Sequence, residues 1–344
     1  MIILAIETSC DETGVAILKT EGDSFSVLAN SLHSQIEIHK ETRGVVPEVA
    51  ARQHVQMMPL VFEDALRQAN ISLDEINAVA VTHGPGLNGS LLVGIETAKT
   101  LAYSLQKPII GINHLKAHLV ANYFNTEKEM YEEMTYPALG LLVSGGHTEL
   151  VLIKSATSFE IIGQTLDDAV GESFDKVAAQ LGLEYPGGPQ VSKRAELGNV
   201  EAFDLPIALK DSKELNFSYS GLKTAVRQLV EKGERTDQYI NDICASFQKA
   251  AIGQLIHKTN KALEQYGIKT LCVAGGVSAN QELRRKLQEL ADSHGIFLKV
   301  PSFHLCTDNA LMIAMAAAFE VRHDEEWDTR DTWETITSIP NLNF

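Results

Sequence analysis

Apolar residues gather first over Ile2–Ile6 and again over Gly14–Lys19, and the polar run between them is Glu7-Thr8-Ser9-Cys10-Asp11-Glu12-Thr13. This pattern predicts two strands around a turn that carries carboxylates. It recurs later, where Leu139–Ser144 and Glu149–Ile153 flank Gly145-Gly146-His147-Thr148. A second pattern is also doubled. Ala78–Thr82 runs through His83-Gly84-Pro85-Gly86-Leu87-Asn88-Gly89 into a helical stretch, and Thr270–Ala274 runs through Gly275-Gly276-Val277-Ser278-Ala279-Asn280 into another. Hairpin and strand-loop-helix thus repeat in the same order, which predicts two homologous α/β lobes facing each other with a ligand cleft between them. The expected boundaries are a first lobe over 1–124, an acidic linker over 125–136, a second lobe over 137–323 and a polar tail over 324–344. The tail is a candidate to pack back on the first lobe.

Among the helices, Asp237–Tyr266 carries Ile240, Ile243, Phe247, Ala251, Leu255 and Leu263 on a helical period, with Asp237 expected as N-cap and Gly267 as stop. Pro47 opens another helical pattern through Val49 to Ala69, which Pro59 is expected to kink or split. The opening run Met1–Ile6 is cut by Glu7 and has no basic flank, so it reads as a buried strand rather than a secretory signal. Ala310–Phe319 is the longest apolar run, about half of what a membrane-spanning helix needs.

Composition narrows the class. A chain of 344 residues exceeds what one hydrophobic core usually serves, which agrees with two lobes. Its net charge of -16 disfavours a polyanion unless basic residues gather locally. Cys10, Cys244, Cys272 and Cys306 form no CxxC pair, so reduced thiols and a cytoplasmic location are expected.

The glycine pairs Gly145-Gly146, Gly187-Gly188 and Gly275-Gly276 fall beside strands or helix starts, where backbone N–H groups can hold phosphate oxygens. No Walker loop is present, and Lys176 is the only candidate for a nearby catalytic lysine. Asp167, Asp168 and Asp175 could bond a ribose or, for Asp168, cap a helix. His114-Leu115-Lys116-Ala117-His118 places two imidazoles one helical turn apart, a metal-ligand spacing. The zincin glutamate is absent, because Leu115 occupies that place. A third ligand must come from elsewhere, and Asp308, just before the Ala310–Glu320 helix, is either that ligand or an N-cap.

Taken together, Ile6–Thr13, His114-x-x-Ala117-His118, Val143–Thr148 and Ala274–Asn280 resemble the TsaD/Gcp/Kae family. So do Gly44–Ala50, Tyr185–Pro189 and Phe217–Thr224. The resemblance runs from the first strand to Asp308-Asn309, leaving only the C-terminus outside. It implies two actin-like (ASKHA, RNase H-like) lobes. It also implies transfer of a threonylcarbamoyl group from threonylcarbamoyl-adenylate to the adenosine 3′ of the anticodon in tRNAs reading ANN codons, with release of AMP. The implied metal is one divalent ion, Fe2+ favoured over Zn2+, on His114, His118 and Asp308. The implied adenylate contacts are Leu142, Val143, Ser144, Gly145, Gly146, Asp175, Gly188 and Asn280. Related folds place carboxylates at the first hairpin turn, which makes Asp11 and Glu12 the acid/base candidates, and His147 is a candidate phosphate or metal-shell donor. The implied partners are tRNA, a TsaB-like paralogue and a TsaE-like ATPase, with no membrane. An acidic tRNA enzyme needs a local basic strip, for which Lys40, Arg43, Arg52, Lys223 and Arg227 are candidates. Two departures stand out: Arg43-Gly44 replaces a Gly-Gly pair, and Asn216-Phe217-Ser218-Tyr219 replaces Asp-Phe-Ser-Phe. The rival readings are an ATPase or kinase of the same fold, a metallopeptidase, and a nucleotide-sensing scaffold.

Overall fold

Five of the six residues of β1 (Ile2–Glu7) are buried, so the strand reads as a continuous apolar run rather than an alternation. It pairs antiparallel with β2 (Glu12–Glu21), which pairs antiparallel with β3 (Ser24–Ser34). On its other side β1 takes β4 (Ala78–Gly84) in parallel, and β4 takes β5 (Ile109–Asn113) in parallel. Two short strands, β6 (Phe124–Asn125) and β7 (Met130–Tyr131), complete the sheet in the order β5-β4-β1-β2-β3-β7-β6. The helices of this region are α1 (Ile36–His39), α2 (Pro47–Ala69), α3 (Asn88–Leu105) and α4 (His114–Val120). Met58, Val61 and Ala65 of α2 and Leu91, Ile95 and Ala98 of α3 form one core with Leu4, Ile6, Val15, Ile17, Val79 and Val81 of the sheet. Pro47 starts α2 as expected, but Pro59 does not split it. Pro59 is exposed, as is Val55 four residues before it, so the carbonyl that Pro59 cannot bond lies on the wet side of the helix.

The second sheet repeats the first. Strands β8 (Ala138–Val143), β9 (Thr148–Ser155) and β10 (Ser158–Gln164) form an antiparallel meander, and β11 (Thr270–Ala274) then β12 (Phe297–Lys299) join β8 in parallel. The order β10-β9-β8-β11-β12 matches β3-β2-β1-β4-β5. Helices α5 (Val170–Leu181), α6 (Gly187–Ala195), α7 (Ser220–Lys232), α8 (Asp237–Tyr266) and α9 (Gln281–His294) accompany it. Phe174, Phe247 and Leu255 pack with Leu139, Leu141 and Val143. The scaffold helix α8 has the expected limits, but Thr236, not Asp237, is its cap, with its hydroxyl accepting from the Tyr239 N–H. It ends where Gly267 turns left-handed at φ 59°.

The last helix, α10 (Ala310–His323), packs against β1, β2 and α4. Its small residues permit the approach: a Cβ on Gly14 of β2 would meet the Ala310 nitrogen at 3.0 Å. The described residues, 1–42, 44–233 and 236–344, therefore form one unit of Met1–Glu133 with Ser302–Phe344 and another of Met134–Pro301. These limits differ from the expected ones in two places. The stretch 125–133 belongs to the first unit instead of forming a linker, because Asn125 and Met130 pair with each other and Met130 of β7 pairs with Ser24 of β3. Residues 302–323 belong with the first unit, where α10 covers the sheet. No helix among the described residues is long and apolar enough to cross a membrane. All four cysteines are free thiols.

Candidate metal centre and glycine turns

Where β5 ends, the Asn113 side chain accepts the Lys116 N–H at 3.0 Å and so caps α4. The helix then presents His114 and His118 one turn apart, their rings edge to face with centroids 4.7 Å apart. Asp308 reaches them from the loop before α10. Oδ1 of Asp308 lies 3.0 Å from His118 Nε2 and 3.4 Å from His114 Nε2. Asp308 is free to do so because Asn309, not Asp308, caps α10, accepting from the Met312 N–H at 2.9 Å. The ligand atoms of the three residues lie within 4.8 Å of one another.

Behind this trio stands Glu7, fully buried at the end of β1. One carboxylate oxygen accepts from the Thr82 hydroxyl at 2.6 Å and lies 3.2 Å from His114 Nδ1, and the other accepts from the Ser9 N–H at 2.5 Å. The Ser9 hydroxyl also lies 3.2 Å from His114 Nδ1. A carboxylate on Nδ1 fixes the ring and its tautomer so that Nε2 faces the centre of the trio. Burial opposes protonation of His114, but the Asp308 and Glu7 carboxylates outweigh it and hold the imidazole well above its usual range. Burial would raise Asp308, and the two imidazoles more than reverse it, holding the carboxyl well below. Burial keeps His118 low, and its Nδ1 has no partner among the described residues. Two imidazoles and one carboxylate, converging and sheltered, make a nitrogen and oxygen donor set that suits Fe2+ or Zn2+.

The carboxylate turn lies beside this centre. Asp11 is buried, and burial, then the charges of Asp11 and Asp308, push the Glu12 carboxyl well up while the Ser34 hydroxyl donates to it at 3.0 Å. The turn is pinned by His54 of α2, whose Nε2 lies 3.0 Å from the Cys10 carbonyl oxygen and whose Nδ1 lies 2.8 Å from the Thr13 hydroxyl.

In the second unit the remaining candidates converge through a chain of contacts. Leu142 and Val143 lie inside the β8 ladder with buried side chains, and the turn itself is Ser144–His147. The Ser144 N–H donates to the His147 carbonyl at 2.8 Å, and the Ser144 hydroxyl accepts from the His147 N–H at 3.0 Å. The Ser144 carbonyl takes the Gly171 N–H of α5 at 3.2 Å. Gly275, at φ 88°, lies so close to β8 that a Cβ would sit 2.5 Å from the Val143 carbonyl oxygen. Asp175 of α5 accepts the Gly187 N–H at 2.7 Å at the start of α6; burial raises its carboxyl, and the Gly187 and Gly188 N–H groups only partly offset this. Asn280 caps α9 and donates to Ser192 of α6 and Gln248 of α8, both at 2.9 Å. A Cβ on Gly145, Gly146, Gly188 or Gly276 would meet nothing within 4 Å, so the backbone there is open to an incoming group.

Other candidates are engaged elsewhere. Asp167 caps α7, accepting from the Tyr219 N–H at 2.7 Å, and Asp168 is paired with Lys223 and Lys176. Of the basic residues, Lys40 faces Glu37 and Arg227 faces Glu231, and Arg43 lies outside the described residues. Sequence reasoning placed Glu7 in a polar turn and did not single out His54. The available signals were a carboxylate closing an all-apolar strand, and a histidine in the buried stripe Ala50, His54, Met58, Val61 of α2.

Comparison with known proteins agrees with this geometry. The chain is 48% identical over its full length to a protein of Thermosipho africanus and 51% identical to one of Thermosipho melanesiensis, with all of each relative covered. It is 48% identical to one of Bacillus subtilis over 93% of this chain and 91% of that one. Each is named tRNA N6-adenosine threonylcarbamoyltransferase. In fold it is similar to T. kodakarensis HypF, with a TM-score of 0.61 at 13% identity over 95% of this chain and 49% of that one, so it spans about half the HypF length. It is also similar to the activator of the 2-hydroxyisocaproyl-CoA dehydratase from Clostridium difficile, with a TM-score of 0.51 at 13% identity over 96% of this chain and 99% of that one. The family profile described as "TsaD: tRNA N6-adenosine threonylcarbamoyltransferase" matches residues 26–315, and with these full-length relatives it shows that the chain belongs to the TsaD family.

Proposed function

We propose that this chain transfers the threonylcarbamoyl group from threonylcarbamoyl-adenylate to the exocyclic amine of the adenosine 3′ of the anticodon in ANN-reading tRNAs, releasing AMP. The observation that carries this reading is the converging trio His114, His118 and Asp308, braced by Glu7, in a chain alike from end to end to transferases of that name. The trio would hold one divalent metal, Fe2+ in preference to Zn2+. When bound, that ion supplies a Lewis acid that favours attack on the carbamoyl carbonyl.

The chain's own residues do the rest. An adenine amine is a weak nucleophile, because its lone pair is delocalised, so it must be placed accurately and its proton removed as the bond forms. Glu12 is a stronger proton acceptor than an ordinary carboxylate, and Asp11 is its alternative. In the second unit, the open backbone of Gly145, Gly146 and Gly188 would receive the adenylate. Leu142, Val143 and Ser144 shape that turn, Asp175 and Asn280 hold the flanking helices, and His147 supplies a donor to the phosphate.

The partners follow the same reading. An apolar groove of about 550 Å³ between α2 and α3, lined by Val55, Met58, Phe62, Leu92 and Leu101, would seat a TsaB-like paralogue, and a TsaE-like ATPase would complete the system. The reaction would run in the cytoplasm, with tRNA held by a local basic strip or a partner surface.

The test is reconstitution of the purified chain with synthetic threonylcarbamoyl-adenylate, unmodified ANN-reading tRNA and both partners, followed by nucleoside mass spectrometry. Wild type should make the modified adenosine and His114→Ala should not. A folded, metal-loaded wild type that makes none with all partners present would sink the proposal.

A further inference from the structure

The tail after α10 lies against the strand that delivers the metal-ligand helix, and each contact it makes there is specific. Among the described residues β5 is the edge strand of its sheet, and the tail lies along that edge. The Asp331 carboxylate accepts the Gly111 N–H of β5 at 2.9 Å, in the manner of a strand carbonyl. Further on, the Ile339 N–H donates to the His83 carbonyl at 2.7 Å and the Gly86 N–H donates to the Pro340 carbonyl at 3.1 Å. The fit is close: a Cβ on Gly84 would lie 2.0 Å from the Ile339 carbonyl oxygen, and one on Gly111 would lie 3.0 Å from Asp331.

Two of these connections reach α4 itself. Asn113 uses both ends of its amide: Oδ1 caps α4 at the Lys116 N–H, and Nδ2 donates to the Asn343 carbonyl at 3.0 Å. The tail's end therefore holds the side chain that starts the helix one residue before His114. The second connection runs through charge. Lys116, between the two histidines, pairs with Glu320 of α10 at 2.5 Å, and Arg330 of the tail reaches the other Glu320 oxygen at 3.2 Å and Asp324 at 3.1 Å.

We infer that the C-terminal tail is a positioning strap for the metal-ligand helix: Asn343, through Asn113, and Arg330, through Glu320 and Lys116, set the register of α4 and so the convergence of His114 and His118 on Asp308. This rests on the reading of the trio as a metal site. Asn343 and Arg330 act through Asn113 and Glu320, so they are positioning residues. Ile336, buried in the core of this unit, gives the tail a separate, purely structural role that must be told apart.

The experiment compares the full-length chain with a variant lacking residues 341–344, with Arg330→Ala and with Ile336→Ala. Co2+ alone is the metal probe, read by its visible absorption, and hydrogen exchange of the α4 amides is read without metal. The truncation and Arg330→Ala should speed exchange over Leu115–Val120 and weaken Co2+ binding about tenfold, while their melting temperatures stay near wild type. Ile336→Ala should lower the melting temperature without speeding α4 exchange selectively and without weakening Co2+ binding. Unchanged α4 exchange and unchanged Co2+ affinity in both strap variants would overturn the strap. Wild type that binds Co2+ no better than His114→Ala would overturn the metal reading and the strap's metal role with it; faster α4 exchange in the truncation would then locate the failure in the metal assignment.

Discussion

The two units have the same strand order, yet they place chemistry in opposite ways. In the first, the candidate donors are side chains at strand ends and on helices: Glu7 closes β1, His114 and His118 lie on α4, and Asp308 precedes α10. In the second, the candidate groups at the ends of β8 and β11 are backbone. The turn after β8 is Ser144-Gly145-Gly146-His147, and the loop after β11 begins at Gly275. A cation site needs charged and nitrogen donors held out of water, whereas a phosphate site needs N–H groups that nothing covers. One fold can serve both because its strand ends collect in one place whatever residues occupy them.

The sharpest way to break this contrast is to remove a donor from the first unit. Asp308→Ala or His118→Ala should lower transfer activity by about two orders of magnitude or more and abolish stoichiometric metal in the purified protein, as measured by elemental analysis. Retained metal in both variants would mean that the trio is not the site. Glu7→Gln comes next, keeping the shape while removing the charge on His114. Metal affinity should fall about 10- to 100-fold, and the loss should be shallower at lower pH, because the variant's ring, without the Glu7 charge, holds the competing proton less tightly than the wild-type ring does. A wild-type affinity that does not weaken as pH falls would contradict this.

The second unit should respond through its backbone instead. Gly275→Ala should cost about 1 to 3 kcal/mol of stability, since it combines a left-handed backbone with a collision against Val143. Gly188→Ala, with open space around it, should leave the melting curve alone and raise KM for the adenylate. If the two variants behaved alike, the division into structural and ligand-facing glycines would be wrong.

The smallest effect concerns Glu149 of β9, whose burial pushes its carboxyl up to about 7 from 4.5, and whose Oε2 has no partner among the described residues. The folded protein keeps this proton while the unfolded chain has released it, so stability declines as pH rises from about 4.5 to about 7. Glu149→Gln should therefore stabilise the protein at pH 8 by on the order of 1 to 3 kcal/mol and do little near pH 4.5. An equal gain at both values would assign the effect to packing rather than ionisation.

The local patterns settled a good deal without any coordinates. Alternating apolar runs and turns located both hairpins, the doubled strand-loop-helix order announced two units, and the spacing of His114 and His118 placed both rings on one helical face. Such features depend on neighbours within a few residues, and periodicity records them. The third ligand was another matter: Asp308 lies 190 residues beyond His118, and before a helix it reads equally well as a cap until Asn309 is seen to take that role. Glu7 read as a turn residue because a carboxylate is rarely buried, and only the Thr82, Ser9 and His114 groups that surround it make its burial affordable. The return of α10 to the first unit was likewise decided by packing, since an alanine-rich helix can cover any sheet that presents a surface as close as Gly14. Sequence by itself determined the elements, their duplication and the imidazole pair; tertiary structure alone decided which distant carboxylates meet them, because desolvated charges are stable only where their partners already wait.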